Sequence, residues 1–158
     1  IQSRKTRYIP PLFDVVHSLD SLKLAEKLSR KLADDNDTLD VLLQMNVAGE
    51  EQKYGFEASN WQQDSAVREQ VWQAVKQVLD LPGLNVRGLM TMAPIVDDVE
   101  QTRPVFADLA ALRDALAADF DIELPDLSMG MTDDYPVAIE EGATLVRVGR
   151  AIFGERNQ

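Results

Sequence analysis

Three groups of residues in this chain have the types and spacing to hold a small anionic ligand. The first is the run Leu127-Ser128-Met129-Gly130-Met131-Thr132-Asp133, which has the pattern of a strand end, a glycine turn and a helix start. Such a turn presents backbone N–H groups, the following helix adds positive potential, and Ser128 and Thr132 add hydroxyl donors. An anion can be held this way without a lysine. A capped helix after a glycine turn is also common in its own right, and Asp133 suits the cap.

The second group is Arg147 with Gly149. Side chains alternate along a strand, so Leu145, Arg147 and Gly149 share one face and Val146 and Val148 the other. An arginine inside an apolar strand is costly unless paired. Gly149 permits close backbone approach and so suits a phosphate. A nearby aspartate or glutamate is the alternative partner for Arg147.

The third group is Gln44 and Asn46. In residues 41–47 the odd positions (Val41, Leu43, Met45, Val47) are all apolar, while the even ones carry the two amides toward the strand's C-terminal end. Polar groups inside a sheet need partners. In a parallel α/β fold the natural partner is a ligand beyond the C-terminal ends of the strands; the two amides bonding each other or the backbone is the alternative.

These residues are positioned by an alternation of strands and helices. Residues 15–19 form a short apolar stretch. Asp20 and Ser21 follow as cap candidates, then a helical face of Leu22, Ala25, Leu28 and Leu32 that ends in the polar run 34–37. Residues 39–47 read as the next strand and residues 49–60 as a polar loop. Val67, Val71, Ala74, Val75 and Val78 recur at helical spacing until Pro82 and Gly83. A third strand at 86–92 precedes a helix of about twenty residues, with Pro104 in its first turns, where a proline costs least. A short strand at 127–129, a small helix at 133–141, a last strand at 144–148 and a closing helix from Arg150 complete the chain. Five β units separated by helices, without hairpin signals, predict one domain over residues 1–158 built on a parallel sheet.

Composition narrows the function. With 45 % hydrophobic residues the chain can bury a core. No apolar run approaches the roughly 18 residues of a membrane span, and no secretory signal pattern is present. The net charge of −11, from 27 acidic and 16 basic residues, opposes binding to nucleic acid or anionic lipid. Without cysteine there is no disulfide, thiolate metal site or cysteine nucleophile. A cytoplasmic protein is the default expectation.

Other constellations read as structural. His17 is the only histidine, so a metal site would be mostly carboxylate, and a structural histidine at a strand end is expected instead. The pairs Asp133–Asp134 and Glu50–Glu51 fit solvated helix-start and loop charges, and Asp97 and Asp98 fit a helix start. Trp61 and Trp72 read as packing and loop residues. Met90, Met92, Met129 and Met131 suit either the ligand side or the core. Ser18, His17 and Asp20 are too close along one strand to form a catalytic triad.

Taken together, several motifs closely resemble the pyridoxal-phosphate homeostasis protein family. They are Val16-His17-Ser18-Leu19-Asp20-Ser21; Gln44-Met45-Asn46-Val47-Ala48-Gly49-Glu50 with Lys53 and Gly55; Asn85-Val86-Arg87-Gly88-Leu89-Met90-Thr91-Met92-Ala93-Pro94; the 127–134 run; and Val146-Arg147-Val148-Gly149-Arg150-Ala151-Ile152-Phe153-Gly154. The resemblance implies an alanine-racemase-like (β/α)8 TIM-type barrel, here incomplete and limited to about its last five β/α units. It implies a non-catalytic, monomeric, cytoplasmic carrier or regulator of pyridoxal 5′-phosphate. By the same resemblance Ser128, Met129, Gly130, Thr132 and Gly149 hold the phosphate, and Arg147 lies near the pyridine ring.

The chain departs from the family pattern at its start. The family's Schiff-base lysine on the first strand, and motifs at the second and third strands, have no counterpart. Ile1-Gln2-Ser3-Arg4-Lys5 matches only the tail of the third motif, and by position neither Lys5 nor Lys53 is the cofactor lysine. The chain is therefore expected to be truncated at its N-terminus. A processed start, a trimmed piece or further residues ahead of Ile1 would each account for the missing methionine. The expected consequences are weak, non-covalent cofactor binding, a wetted concave face around Gln44, Asn46 and Arg147, and self-association through open sheet edges. A racemase-like enzyme fragment and a remnant that no longer binds cofactor are the alternatives.

Overall fold

A computed structural model describes residue 1 and residues 6–50 and 54–154, the side chain of Arg7 excepted. The expected alternation is present: β1 (Val15–Leu19), α1 (Leu22–Asp35), β2 (Leu39–Asn46), β3 (Phe56–Glu57), α2 (Ser65–Leu79), β4 (Leu84–Met90), α3 (Arg103–Phe120), β5 (Asp126–Met131), α4 (Tyr135–Glu140), β6 (Leu145–Arg147) and α5 (Arg150–Phe153). The sheet runs β1-β2-β4-β5-β6, with parallel pairing throughout. It is curled into a half-barrel. In a flat sheet β1 and β5 would be three strand spacings apart, about 14 Å, yet His17 of β1 makes a hydrogen bond to Ser128 of β5.

The convex side of the sheet and the inner faces of the helices form the core. Val41, Leu43 and Met45 from β2 pack there with Leu28, Leu32, Val71, Val75, Phe106, Leu109 and Leu112, so the odd face of β2 points as its sequence pattern predicts. α2 starts at Asp64, whose carboxylate accepts from the N–H groups of Ala66 (2.9 Å) and Val67 (3.3 Å) and satisfies two otherwise orphaned donors. α1 starts after Ser21, but Ser21 does not cap it by its side chain; the hydroxyl donates to Asp20 instead. The predicted twenty-residue helix divides into a 3-10 turn at Val99–Thr102, capped by Asp98, and the 18 residues of α3. The two tryptophans are packing residues. Trp61 is buried and donates to Asp108 on α3, Trp72 donates to Asp119, and Arg68 stacks on both rings.

β4 and β5 pass unusually close together at Gly88. A Cβ placed there would fall on the Asp126 carbonyl oxygen, so only glycine allows this strand pair to form. Two elements among the described residues lie outside the sequence expectation: a 3-10 turn at Thr6–Tyr8, and β3, which inside the predicted 49–60 loop pairs in parallel with the end of β2, Met45 opposite Phe56 and Asn46 opposite Glu57. Among the described residues no helix is long and apolar enough to cross a membrane.

Candidate functional site

The sheet changes register at three places, and the two outer slips surround the candidate residues. Between Val16 and Leu19, β1 spends three residues against two of β2; between Ser128 and Met131, β5 spends three against two of β6. A third slip lies between Val41 and Leu42, opposite Arg87 of β4. Each extra residue bends its strand and re-aims a side chain. In β5 the slip contains Gly130, whose φ of +89° is a left-handed conformation that suits glycine. A Cβ there would also lie 2.7 Å from that of Ala138, so Gly130 brings α4 tightly against the turn.

Ser128 is completely buried on the concave side. Its hydroxyl lies 2.9 Å from Nδ1 of His17 and accepts from Arg147 Nη1 at 2.8 Å. Arg147 Nη1 also donates to the Ser128 carbonyl (2.9 Å), and Nη2 to the Thr91 carbonyl (2.8 Å). The guanidinium is thus held by neutral oxygens, not by the carboxylate that was the alternative. Burial pushes its pKa down, and the field of Asp134 works against that. An arginine anchored by carbonyls keeps its charge available to a ligand.

Next to it stand two turns. Asp134, buried, accepts from the Met131 N–H at 2.5 Å and so fixes the 131–134 turn. The Thr132 hydroxyl accepts a long bond from the Ala151 N–H (3.4 Å), and Arg150 forms an ion pair with Asp133, so the 131–134 turn and the start of α5 lie side by side. The space in front of Gly149 is open: a Cβ there would meet nothing within 4 Å. An open cleft of about 420 Å³, lined in part by Pro94, Ile95, Met131 and Asp134, adjoins the 131–134 turn at the C-terminal ends of β4 and β5. A hydroxyl, an open glycine and an anchored arginine form a donor set suited to an anion such as phosphate.

The structure places the remaining predicted residues differently. Met129 is fully buried within the convex core, so it offers the concave side only its backbone. Gln44 and Asn46 lie on the opposite face of β2 from Val41, Leu43 and Met45, but they are 5 % and 6 % exposed, not wetted. The chain around β3 folds over them: Gln44 donates to the Tyr54 carbonyl (2.7 Å), and Asn46 to the Glu50 carbonyl (3.2 Å) and the Glu57 carboxylate (2.9 Å). The acceptor oxygen Oδ1 of Asn46 is buried without a partner among the described residues. Lys5 and Lys53 lie outside the described residues. Sequence reasoning missed two contributors. Thr91 supplies a carbonyl to Arg147 through its backbone, which its side-chain type cannot signal. His17 reaches the site from across the sheet.

A family model described as the N-terminal domain of alanine racemase matches residues 7–157. The pyridoxal phosphate homeostasis protein of Aquifex aeolicus is 40 % identical over 156 residues, covering 99 % of this chain and 64 % of that protein. Its counterpart from Pseudomonas aeruginosa is 43 % identical over 157 residues, covering 99 % of this chain and 62 % of that protein. The chain therefore spans a little under two thirds of these relatives. Among solved structures, PipY of Synechococcus elongatus with pyridoxal phosphate bound superposes with a TM-score of 0.82 at 31 % identity, covering 98 % of this chain and 67 % of that one.

Proposed function

Since the chain belongs to the pyridoxal phosphate homeostasis protein family, with the fold of the alanine racemase N-terminal domain, we propose that it binds pyridoxal 5′-phosphate without catalysing a reaction, as a cytoplasmic carrier of the cofactor. The observation that carries this reading is Arg147: a half-buried guanidinium held by neutral oxygens beside an open glycine. In this reading the phosphate is held by the end of β5 and the turn that follows it, through Ser128, the backbone of Met129 and Gly130 and the hydroxyl of Thr132, together with Gly149. Arg147 faces the pyridine ring. Gln44 and Asn46 close the far side, with the unpaired Asn46 oxygen as an acceptor for a ligand donor.

When bound, the cofactor supplies an aldehyde that reacts with amines and an electron-withdrawing ring. We propose that no residue of this segment holds that aldehyde. The described lysines, Lys23, Lys27, Lys31 and Lys76, all stand on α1 and α2, outside the sheet. In this reading binding is non-covalent and weak, and a racemase-like activity has no lysine on the sheet among the described residues. The test is a titration of the 158-residue chain with pyridoxal phosphate, followed by absorbance, then borohydride reduction and intact mass. Saturable binding with unchanged mass is expected. A borohydride-fixed mass increase on one lysine would overturn the non-covalent reading, and no saturable binding would overturn the carrier reading.

The partner chemistry includes a second copy of the segment. β1 and β6 end the sheet, and exposed apolar side chains flank both: Leu12, Phe13 and Val15 at one, Ile139, Val146, Ile152 and Phe153 at the other. Unpaired parallel edges recruit strands. We expect concentration-dependent mass in sedimentation equilibrium; a single monomeric species across a hundredfold concentration range would contradict it.

A further inference from the structure

We propose that His17 is a positioning residue of this site: from β1 it accepts the Ser128 hydroxyl proton and thereby fixes the hydrogen bonds that hold Arg147. The ligand consequence rests on the cofactor reading above; the hydrogen-bond polarity does not.

The argument begins with proton counting. An arginine only donates, so in the Arg147 Nη1–Ser128 Oγ contact the hydroxyl oxygen is the acceptor. A serine hydroxyl has a single proton. Ser128 is completely buried, and buried hydroxyl protons find acceptors. Among the described residues the remaining recorded partner of that hydroxyl is Nδ1 of His17 at 2.9 Å. Ser128 therefore donates to Nδ1, and His17 is neutral with its proton on Nε2. If Nδ1 carried the proton instead, two donors would converge on one oxygen and the buried hydroxyl proton would have nowhere to go.

The geometry gives this polarity a purpose. The hydroxyl rotor is the one mobile part of the Arg147 anchor, since the other two acceptors are the fixed carbonyls of Ser128 and Thr91. With its proton committed to His17, a lone pair of Oγ is directed at Nη1. Three donors are then engaged, and Nε–H and one Nη2–H of the fork are left for a ligand. The relay crosses the curl of the sheet from β1 to β5 to β6, so it also holds the concave face at one width. The β1 register slip lies where His17 needs to leave the alternation of its strand.

The electrostatics agree. Burial first, then the charge of Arg147 on β6, lower the His17 pKa, and Asp126 on β5 opposes them. The folded chain thus takes up the proton less readily than the unfolded one. The contribution of the relay to stability is full above the ordinary histidine pKa of about 6.5 and is lost as pH falls through it.

Two measurements test this. Imidazole 15N shifts of the ligand-free chain read the tautomer directly. An unprotonated Nδ1 and protonated Nε2 at neutral pH are expected, with the preference weakened in Ser128→Ala. A protonated Nδ1 in the wild type would overturn the proposal. The second measurement is the pyridoxal phosphate titration on His17→Phe and His17→Asn, with folding checked by thermal melting. Asparagine carries an oxygen where Nδ1 stands. Phenylalanine is expected to weaken binding roughly 5- to 10-fold, the worth of about one buried hydrogen bond, with most of that restored by asparagine. Equal affinities for all three would overturn the positioning role. If the wild type binds no cofactor, the carrier reading fails alone, and the nitrogen shifts still decide the relay.

Discussion

Replacing Arg147 by methionine is expected to lower pyridoxal phosphate affinity by roughly 10- to 150-fold, the range set by losing one or more hydrogen bonds to a charged donor. The loss should appear both as a weaker titration and as a less stable fold. Arg147 engages the Ser128 carbonyl, the Ser128 hydroxyl and the Thr91 carbonyl. Methionine fills the volume but leaves buried acceptors without donors, at about 1–3 kcal/mol each. Arg147→Lys separates the two effects. It keeps the charge but is a flexible point donor that cannot fork between carbonyls on two strands. Stability should recover in part while affinity stays low. An unchanged affinity in Arg147→Met, in a chain that still melts cooperatively, would remove the arginine from the site.

The second large effect is on the fold. Gly88→Ala should destabilise the chain by about 3 kcal/mol or more, the upper end of what overpacking costs, and lower the melting temperature by roughly 6–12 °C. The reason is backbone against backbone: a methyl at residue 88 has to displace the Asp126 carbonyl, and no rotamer change can relieve it. Moving Asp126 also moves the strand that bears Ser128, so the variant should bind cofactor poorly even where it folds. Thermal melting followed by circular dichroism reads the first effect. An alanine variant that melts within 2 °C of the wild type would show that β4 and β5 do not approach as described.

Much of the fold was legible because the chain states its periods clearly. Val67, Val71, Val75 and Val78 of the predicted helical stripe pack against the core, as do the odd residues of β2, while Ala74 of that stripe stays outside the core cluster. β3 was not legible. Two residues carry no period, and Phe56–Glu57 pairs only because the loop folds back beside β2. The same fold-back explains why Gln44 and Asn46, correctly seen as polar residues inside a sheet, turned out to be covered by their own loop. Arg147 was visible as a charge inside an apolar strand, and Ser128 and Gly130 as parts of a strand-end, glycine-turn and helix-start pattern. His17 was not, because its meaning depends on a contact 111 positions away that exists only once the sheet has curled. The Asn46 oxygen shows the reverse limit: its type was readable, but its lack of a partner is a property of the packed structure.

The register slips have a consequence for how this site tolerates change. Between two strands in plain alternation, each residue's side is set by whether its position is odd or even. A slip inserts a phase step, so side chains before and after it obey opposite parities with respect to the neighbouring strand. Ser128 and Arg147 are therefore brought together by the count of residues between them as much as by their identities. Deleting one residue within 129–130 would remove the extra residue and return β5 to plain alternation against β6, and with it would go the bend by which Gly130 brings α4 against the turn. In this chain spacing is part of the recognition chemistry, and a single-residue gap there should be as damaging as losing the arginine.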